Sequence, residues 1–353
     1  MLIGICGAKC AGKSTVAQYL IDHHGFKKLH LETPVPQSEN HSASFESEVG
    51  SAAPHATKTS LPLRLKQTSS SHTFATTTAL LDFVTKHWRS RWVTTDVHNE
   101  AVLETLSSRP FFILLSVDAP LIVRWDRYQR RNDETTDLEE FVAQSDRHLY
   151  DATSGVLPLM SRAAIRLLNT SSDLAHLYAT LGKLDLTNPD RLRPSWDSYF
   201  MSLASLAAQR CNCMKRAVGC VLVDSRHHVT STGYNGTPRH LLNCGEGGCP
   251  RCNSGETSGT SLSTCLCLHA EENALLEAGR ERIRDGSVLY CNTCPCLTCS
   301  IKIVQAGISE VVYNQGYSMD TDTAQVFKTA GVKLRQFSPP ANGLIHLEKM
   351  ELY

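Results

Sequence analysis

Three thiols stand within six positions of the stretch TCPCLTCS, residues 293–300: Cys294, Cys296 and Cys299. Upstream, LHAEENALLEAG (268–279) places His269 and Glu271 at the start of a helical pattern carried by Leu275, Leu276 and Ala278, with Gly279 as its stop. These residue types suit a metal. Cys296 and Cys299 are three apart, so at a helix start both sulfurs face one point, and a helix N-terminus favours thiolate over thiol. His269 adds a neutral ligand from a second helix. Three protein ligands leave a fourth tetrahedral position for water, as in a catalytic rather than a closed structural zinc site. Zinc lowers the pKa of that water toward roughly 7. Glu271 sits two residues from the imidazole, close enough to carry protons without coordinating. Cys294 precedes Pro295, where the chain is extended; it is either a substitute ligand or a small buried residue at a strand end. Glu272 reads as a solvated or supporting helix residue.

H-x-E followed by P-C-x-x-C is the signature of the zinc nucleobase deaminases. HAEENALLEAGR, TCPCLTCSIKIVQAGISEVVY and STGYNGTPR resemble the deoxycytidylate deaminase family, its fungal form in particular, across about residues 195–338 and in family order. The resemblance implies a cytidine-deaminase-like α/β/α sandwich that hydrolyses dCMP to dUMP and ammonia for thymidylate synthesis. His269, Cys296 and Cys299 would hold Zn²⁺, and Glu271 would shuttle protons. It also implies a hexameric homo-oligomer activated by dCTP and inhibited by dTTP. In that family the GYNG segment lies near the nucleotide, so Asn235 carries over as a contact to substrate or effector. The dipeptide Asn235–Gly236 also suits a tight turn between strands, and both readings can hold. Family precedent makes Arg210, in AQR ahead of the V-G strand, the first choice for the phosphate, before Lys215, Arg216 and Arg239. Cys244, Cys249, Cys252 and Cys265 read C-x4-C-x2-C-x12-C, with Cys267 as an alternate and Cys213 as a rival. Four thiolates there would close a second, structural Zn²⁺ site and pin a glycine-rich loop; reduced loop cysteines are the plainer alternative.

A different chemistry opens the chain. GAKCAGKS (7–14) fits G-x-x-x-x-G-K-[ST] between a strand predicted at 2–6 and a helix predicted at about 13–22. Gly7 and Gly12 would shape a loop whose N–H groups cradle phosphates, Lys13 would reach the β/γ oxygens and Ser14 would hold Mg²⁺, so ATP with Mg²⁺ is the expected ligand. SVDAP and a helix bearing Arg124, Arg127, Arg130 and Arg131 resemble nucleoside monophosphate kinases and dephospho-CoA kinase over parts of residues 1–180. As the strand-end aspartate for Mg²⁺, VTTD (93–96) is a weak stand-in. The loop belongs either to a nucleotide-binding domain, with or without kinase activity, or to a former kinase kept for regulation or assembly.

The elements that must position these groups form two α/β domains. Residues 1–185 read as a P-loop NTPase-like domain, with a Ser/Thr/Pro/His-rich insertion at 33–79 expected to be disordered. Residues 186–195 are a linker with two prolines, and 196–353 the deaminase domain. Its strands are expected at 217–223, 229–234, 287–292 and 308–313, and its helices at 195–210 and from about 269 and 296. Composition narrows the rest. Lys+Arg and Asp+Glu balance at 35 each, so no nucleic-acid partner is expected, and no basic, aromatic groove suggests an RNA-editing deaminase. No apolar run approaches the ~18 residues of a membrane span, no signal peptide opens the chain, and the cytoplasm or nucleus is the expected compartment. Twelve of the 14 cysteines fall between Cys211 and Cys299, which in a reducing compartment reads as metal ligands before disulfides.

Overall fold

A computed structural model describes residues 1–32, 72–131, 137–171, 173–254, 265–316, 320–340 and 342–346. They fall into two units, Met1–Thr187 with Asn342–Tyr353, and Asn188–Ala341. The first unit contains β1 (Leu2–Gly7), α1 (Lys13–His24), β2 (Lys27–Leu31), β3 (His72–Phe74), α2 (Thr77–Lys86), β4 (Trp92–Thr94), α3 (Glu100–Ser107) and β5 (Phe112–Asp118). It continues with α4 (Leu121–Gln129), α5 (Leu138–Tyr150), α6 (Leu157–Arg162), β6 (Ile165–Leu168) and α7 (Leu174–Leu184). The second contains α8 (Trp196–Ala208), β7 (Gly219–Val223), β8 (Val229–Tyr234), α9 (Pro250–Asn253), α10 (Ala270–Ala278) and β9 (Val288–Thr293). After it come α11 (Leu297–Ala306), β10 (Glu310–Gln315), α12 (Asp320–Ala330) and β11 (Lys333–Gln336), and then β12 (Gly343–His346) returns to the first unit. No helix among the described residues is long and apolar enough to cross a membrane.

The first unit is built on one parallel sheet ordered β12-β6-β5-β1-β4-β2-β3. Its centre, β1, is apolar and buried throughout, because a parallel sheet is covered on both faces. Two sequence expectations change here. The expected disorder at 33–79 falls largely outside the described residues, but its end is ordered: β3 pairs with β2, Leu29 opposite His72, and α2 starts at Thr77 behind the Thr76 cap. The second domain does not run to residue 353, since β12 pairs with β6, Gly343 opposite Ile165.

The second unit holds a five-stranded sheet ordered β11-β10-β9-β7-β8, antiparallel at β8-β7-β9 and parallel at β9-β10-β11. Pleat alternation divides β7 between two cores. Cys220 and Leu222 pack with Ala270, Ala274, Cys299 and Ile303, whereas Val221 and Val223 pack with Phe200, Met201 and Ala204 of α8. Glycine allows the closest approaches. A Cβ on Gly219 would lie 2.0 Å from the carbonyl oxygen of Ala204, and one on Gly233 2.0 Å from that of Ala270.

A half-buried ion network closes the α8 face. Arg335 of β11 grips Asp197 of α8 with two nitrogens, at 2.6 and 3.0 Å, and donates through Nε to Glu310 at 2.9 Å. Tyr290 donates its hydroxyl to Asp197 at 2.8 Å. Arg335, first of the causes, lowers the Asp197 pKa. A depressed carboxylate stabilises the fold above its ordinary value of 3.8 and loses that contribution as pH falls through the folded value. Arg335→Met is therefore expected to lower the melting temperature of this unit by about 4 °C at pH 7, with the deficit shrinking in melts below about pH 4.

Candidate active site

The starts of α10 and α11 meet. His269 is the cap residue of α10 and Cys296 that of α11, both with extended backbone, at φ −78° and −77°. Neither side chain caps its own helix; both turn toward the other element. His269 Nδ1 lies 3.3 Å from Cys296 Sγ and 3.3 Å from Cys299 Sγ, and the three ligand atoms all fall within 4.8 Å of one another. With Zn–S near 2.3 Å and Zn–N near 2.0 Å, a nitrogen and a sulfur on one tetrahedral zinc are about 3.5 Å apart. One imidazole and two thiolates at this spacing fit zinc in type and in geometry.

The electrostatics favour a charged ligand set. A hydrogen bond from Cys299, followed by contacts to His269 and Thr298, pushes the Cys296 thiol down to about 3. The Thr298 hydroxyl stands 3.1 Å from that sulfur. The Cys296 contact, acting first, raises both His269 and Cys299. Glu271 is 4% exposed on the first turn of α10. Burial, the largest cause, pushes its carboxyl up to about 7, against its own backbone N–H and the charge of His269. A buried carboxyl that exchanges its proton near neutrality, beside a site able to acidify water, has the properties of an acid–base group.

A profile of the cytidine and deoxycytidylate deaminase zinc-binding region matches residues 194–315. Deoxycytidylate deaminase of Schizosaccharomyces pombe is 45% identical over 97% of this chain and 99% of its own length. That of Saccharomyces cerevisiae is 42% identical, with coverages of 96% and 97%. The chain belongs to the deoxycytidylate deaminase family. The deoxycytidylate deaminase of Mycobacterium phage D29 is 44% identical over 34% of this chain and 95% of its own. The family match to the fungal relatives thus includes the first unit, whereas the phage relative is about a third as long.

Cys294 is buried outside the metal-competent groups of the described residues, and its N–H donates to Gln315 O at 2.8 Å. Glu272 takes a 2.6 Å ion pair from Lys302, joining α10 to α11, a partnership that no local sequence pattern announces. Arg210 is exposed just beyond α8. Asn235 is 7% exposed; its Oδ1 accepts from Val218 N–H at 2.9 Å and its Nδ2 donates to Arg216 O at 2.7 Å. Asn235–Gly236 is not the turn between strands. The β7–β8 connection lies at 224–228, and Gly236 instead bridges to Leu268. The four cysteines Cys244, Cys249, Cys252 and Cys265 do not form one quartet. Two overlapping quartets occur instead, Cys213–Cys244–Cys252–Cys267 and Cys249–Cys252–Cys265–Cys267.

In the first unit, residues 8–12 join β1 to α1, with φ of 137° at Gly7 and 108° at Gly12. Lys13 Nζ donates to the carbonyls of Gly7 and Ala8 at 2.8 and 2.9 Å, and Ser14 is exposed on the first turn of α1. A cavity of about 300 Å³ is lined by Lys9, Cys10, Lys13, Ser14, Arg131 and His148 among others. The apolar strand ending in aspartate is β5, whose last residue is Asp118 beside β1; FFILLSVD already spelled it out. Asp96, of VTTD, instead accepts Leu31 N–H at 3.0 Å.

Gly233 tests the placement of His269. Gly233→Ala sets a methyl against the α10 backbone, with an expected cost of about 2 kcal/mol, and it should drop zinc retained through dialysis well below the parent level. Melts and zinc content of the purified variant measure both effects.

Proposed function

We propose that the second unit deaminates dCMP to dUMP and ammonia. The observation that carries this is buried Glu271 beside the His269–Cys296–Cys299 group, in a chain matching fungal deoxycytidylate deaminases along nearly its whole length. His269 Nδ1, Cys296 Sγ and Cys299 Sγ would hold the zinc, which supplies Lewis-acid chemistry and makes water nucleophilic near neutral pH. Glu271 takes the proton released as water attacks C4 and passes it to N3 of the pyrimidine, then takes the remaining proton of the added hydroxyl and delivers it to the departing amine. Its burial keeps the carboxyl dry and slows leakage of that proton to solvent. Asn235 supports the nucleotide contact indirectly, by fixing the backbone of Arg216 and Val218. Arg210 is assigned to the substrate phosphate, dCTP and dTTP to activation and inhibition, and a hexamer to the assembly, all on the family pattern. The cysteine-rich loop is read as a structural metal site.

Glu271→Gln is expected to cut ammonia release from dCMP by about 10³-fold with zinc content unchanged. Assays with dCMP, CMP, deoxycytidine and dCTP, repeated with added dCTP or dTTP, define the substrate and effectors. Turnover of deoxycytidine alone would overturn the phosphate assignment.

For the first unit we propose nucleotide binding at the loop 7–14, with Lys13 and Ser14 receiving the phosphates and Mg²⁺ of ATP. Support comes from the strand–loop–helix geometry, the cavity lined by Lys9, Lys13, Arg131 and His148, and Asp118 at the end of the neighbouring strand. Binding rather than phosphoryl transfer is the proposed role, as part of a P-loop NTPase-like domain. Lys13→Ala is expected to weaken ATP binding at least about tenfold in calorimetry, the loss of one charge-assisted contact. Unchanged binding would remove the loop from the account.

A further inference from the structure

We propose that the cysteine-rich segment holds two zinc ions in one six-thiolate cluster, with Cys252 and Cys267 bridging them. The inference rests on reading that segment as a structural metal site, and it concerns how many ions and which sulfurs. The two quartets share Cys252 and Cys267. Cys213 and Cys244 complete one, and Cys249 and Cys265 the other. Two shared and four unshared sulfurs give each of two ions four ligands, the number a closed zinc site takes.

The spacings agree. Cys249–Cys265, Cys252–Cys265 and Cys252–Cys267 are separated by 3.7, 3.6 and 4.0 Å between sulfurs. Two sulfurs on one tetrahedral zinc, each at about 2.3 Å, stand about 3.8 Å apart. A single ion would use one quartet and strand two further cysteines against the shared sulfurs. Six thiolates around two dications leave the same formal charge, minus two, as four thiolates around one.

The surroundings supply a second observation. Among the described residues the buried cluster here consists of Cys244, Cys249, Cys252 and Cys267, with Cys213 and Cys265 packed against it. Among the described residues no aliphatic or aromatic side chain joins that cluster, and metal–thiolate bonds would supply the cohesion a hydrophobic core gives elsewhere. Backbone N–H groups already point at the sulfurs: Leu266 N lies 3.4 Å from Cys249 Sγ, and Lys215 and Arg216 donate to Cys213. Such donors orient thiolate ligands. The cluster joins three separate stretches, at 213, 244–252 and 265–267. The last enters the active site directly, because Leu268 bridges to Gly236 and His269 follows. The cluster thereby positions the first residue of the catalytic group without touching substrate.

The test uses the full chain purified without chelator. Elemental analysis is expected to give about three zinc ions per chain, and about two in Cys296→Ala, which empties only the deaminase site. About two in the parent and one in Cys296→Ala would overturn the bridged pair while keeping a single structural ion. About one in the parent and none in Cys296→Ala would overturn the structural site altogether. Cys213→Ser and Cys265→Ser remove unshared ligands of different ions, and each should lower the count by up to one. If those variants do not fold, ¹¹³Cd-substituted parent protein decides: two cluster resonances coupled through shared sulfur are expected, and one resonance, or two without coupling, would refute the bridge.

Discussion

Two helix starts must aim at one point, and the rest of the second unit follows from that requirement. A metal ligand at a cap position gains because its backbone is extended, so its side chain swings clear of its own first turn. His269 and Cys296 both use that freedom. Cys299 then enters from the first turn of α11, and Glu271 from the first turn of α10. The sheet supplies the aim. Parallel β9 and β10 force α11 to begin where β9 ends, and Gly233 lets α10 lie directly on β8. Buried Thr323 of α12 donates to the Pro295 carbonyl at 3.1 Å and steadies the turn before the cap.

The same geometry accounts for the charge pattern. Helix N-termini present unpaired N–H groups and the positive end of the dipole, and two of them at one point favour anionic sulfur. Glu271 shares that neighbourhood, but desolvation outweighs its own backbone N–H and the charge of His269, so its carboxyl moves up rather than down. Groups at the starts of the two helices are thus pushed in opposite directions, Cys296 toward the charged form and Glu271 toward the neutral one. One environment suits ion binding and the other proton exchange.

What could be read in the sequence was what short-range spacing encodes. H-x-E and P-C-x-x-C each fit within one helical turn, so their ligands could be named before any fold was known. The strands flanking them carry period-two or continuous apolar runs and were equally readable. Features set by distant pairing were not. β12 is four residues long, with no local signal that it joins β6. β3 lies at the edge of a polar tract and is defined by its pairing with β2. Asn235–Gly236 has the composition of a hairpin turn, but the hairpin closes at 224–228 and the dipeptide is drawn instead to Leu268. Asp118 differs from these, because FFILLSVD presents an apolar strand ending in aspartate within one short run.

The cysteines show why spacing alone missorts candidate ligands that several segments contribute. C-x4-C-x2-C-x12-C selects Cys244, Cys249, Cys252 and Cys265 because they are closest to a familiar pattern along the chain. Folding sorts them otherwise. The short helix at 250–253 carries Cys252, which both quartets share, and the stretch 265–267 gives Cys265 to one quartet and Cys267 to both. Cys213, 31 residues before Cys244, follows Asn212, whose N–H donates to Asn235 O at 3.2 Å and ties the chain after α8 to the end of β8. A site assembled from three segments stores its ligand assignment in the tertiary hydrogen bonds that bring those segments together. The same argument explains why the cluster bears on the deaminase centre. Cys267 and His269 are separated by one residue, and that residue is held in a bridge to Gly236.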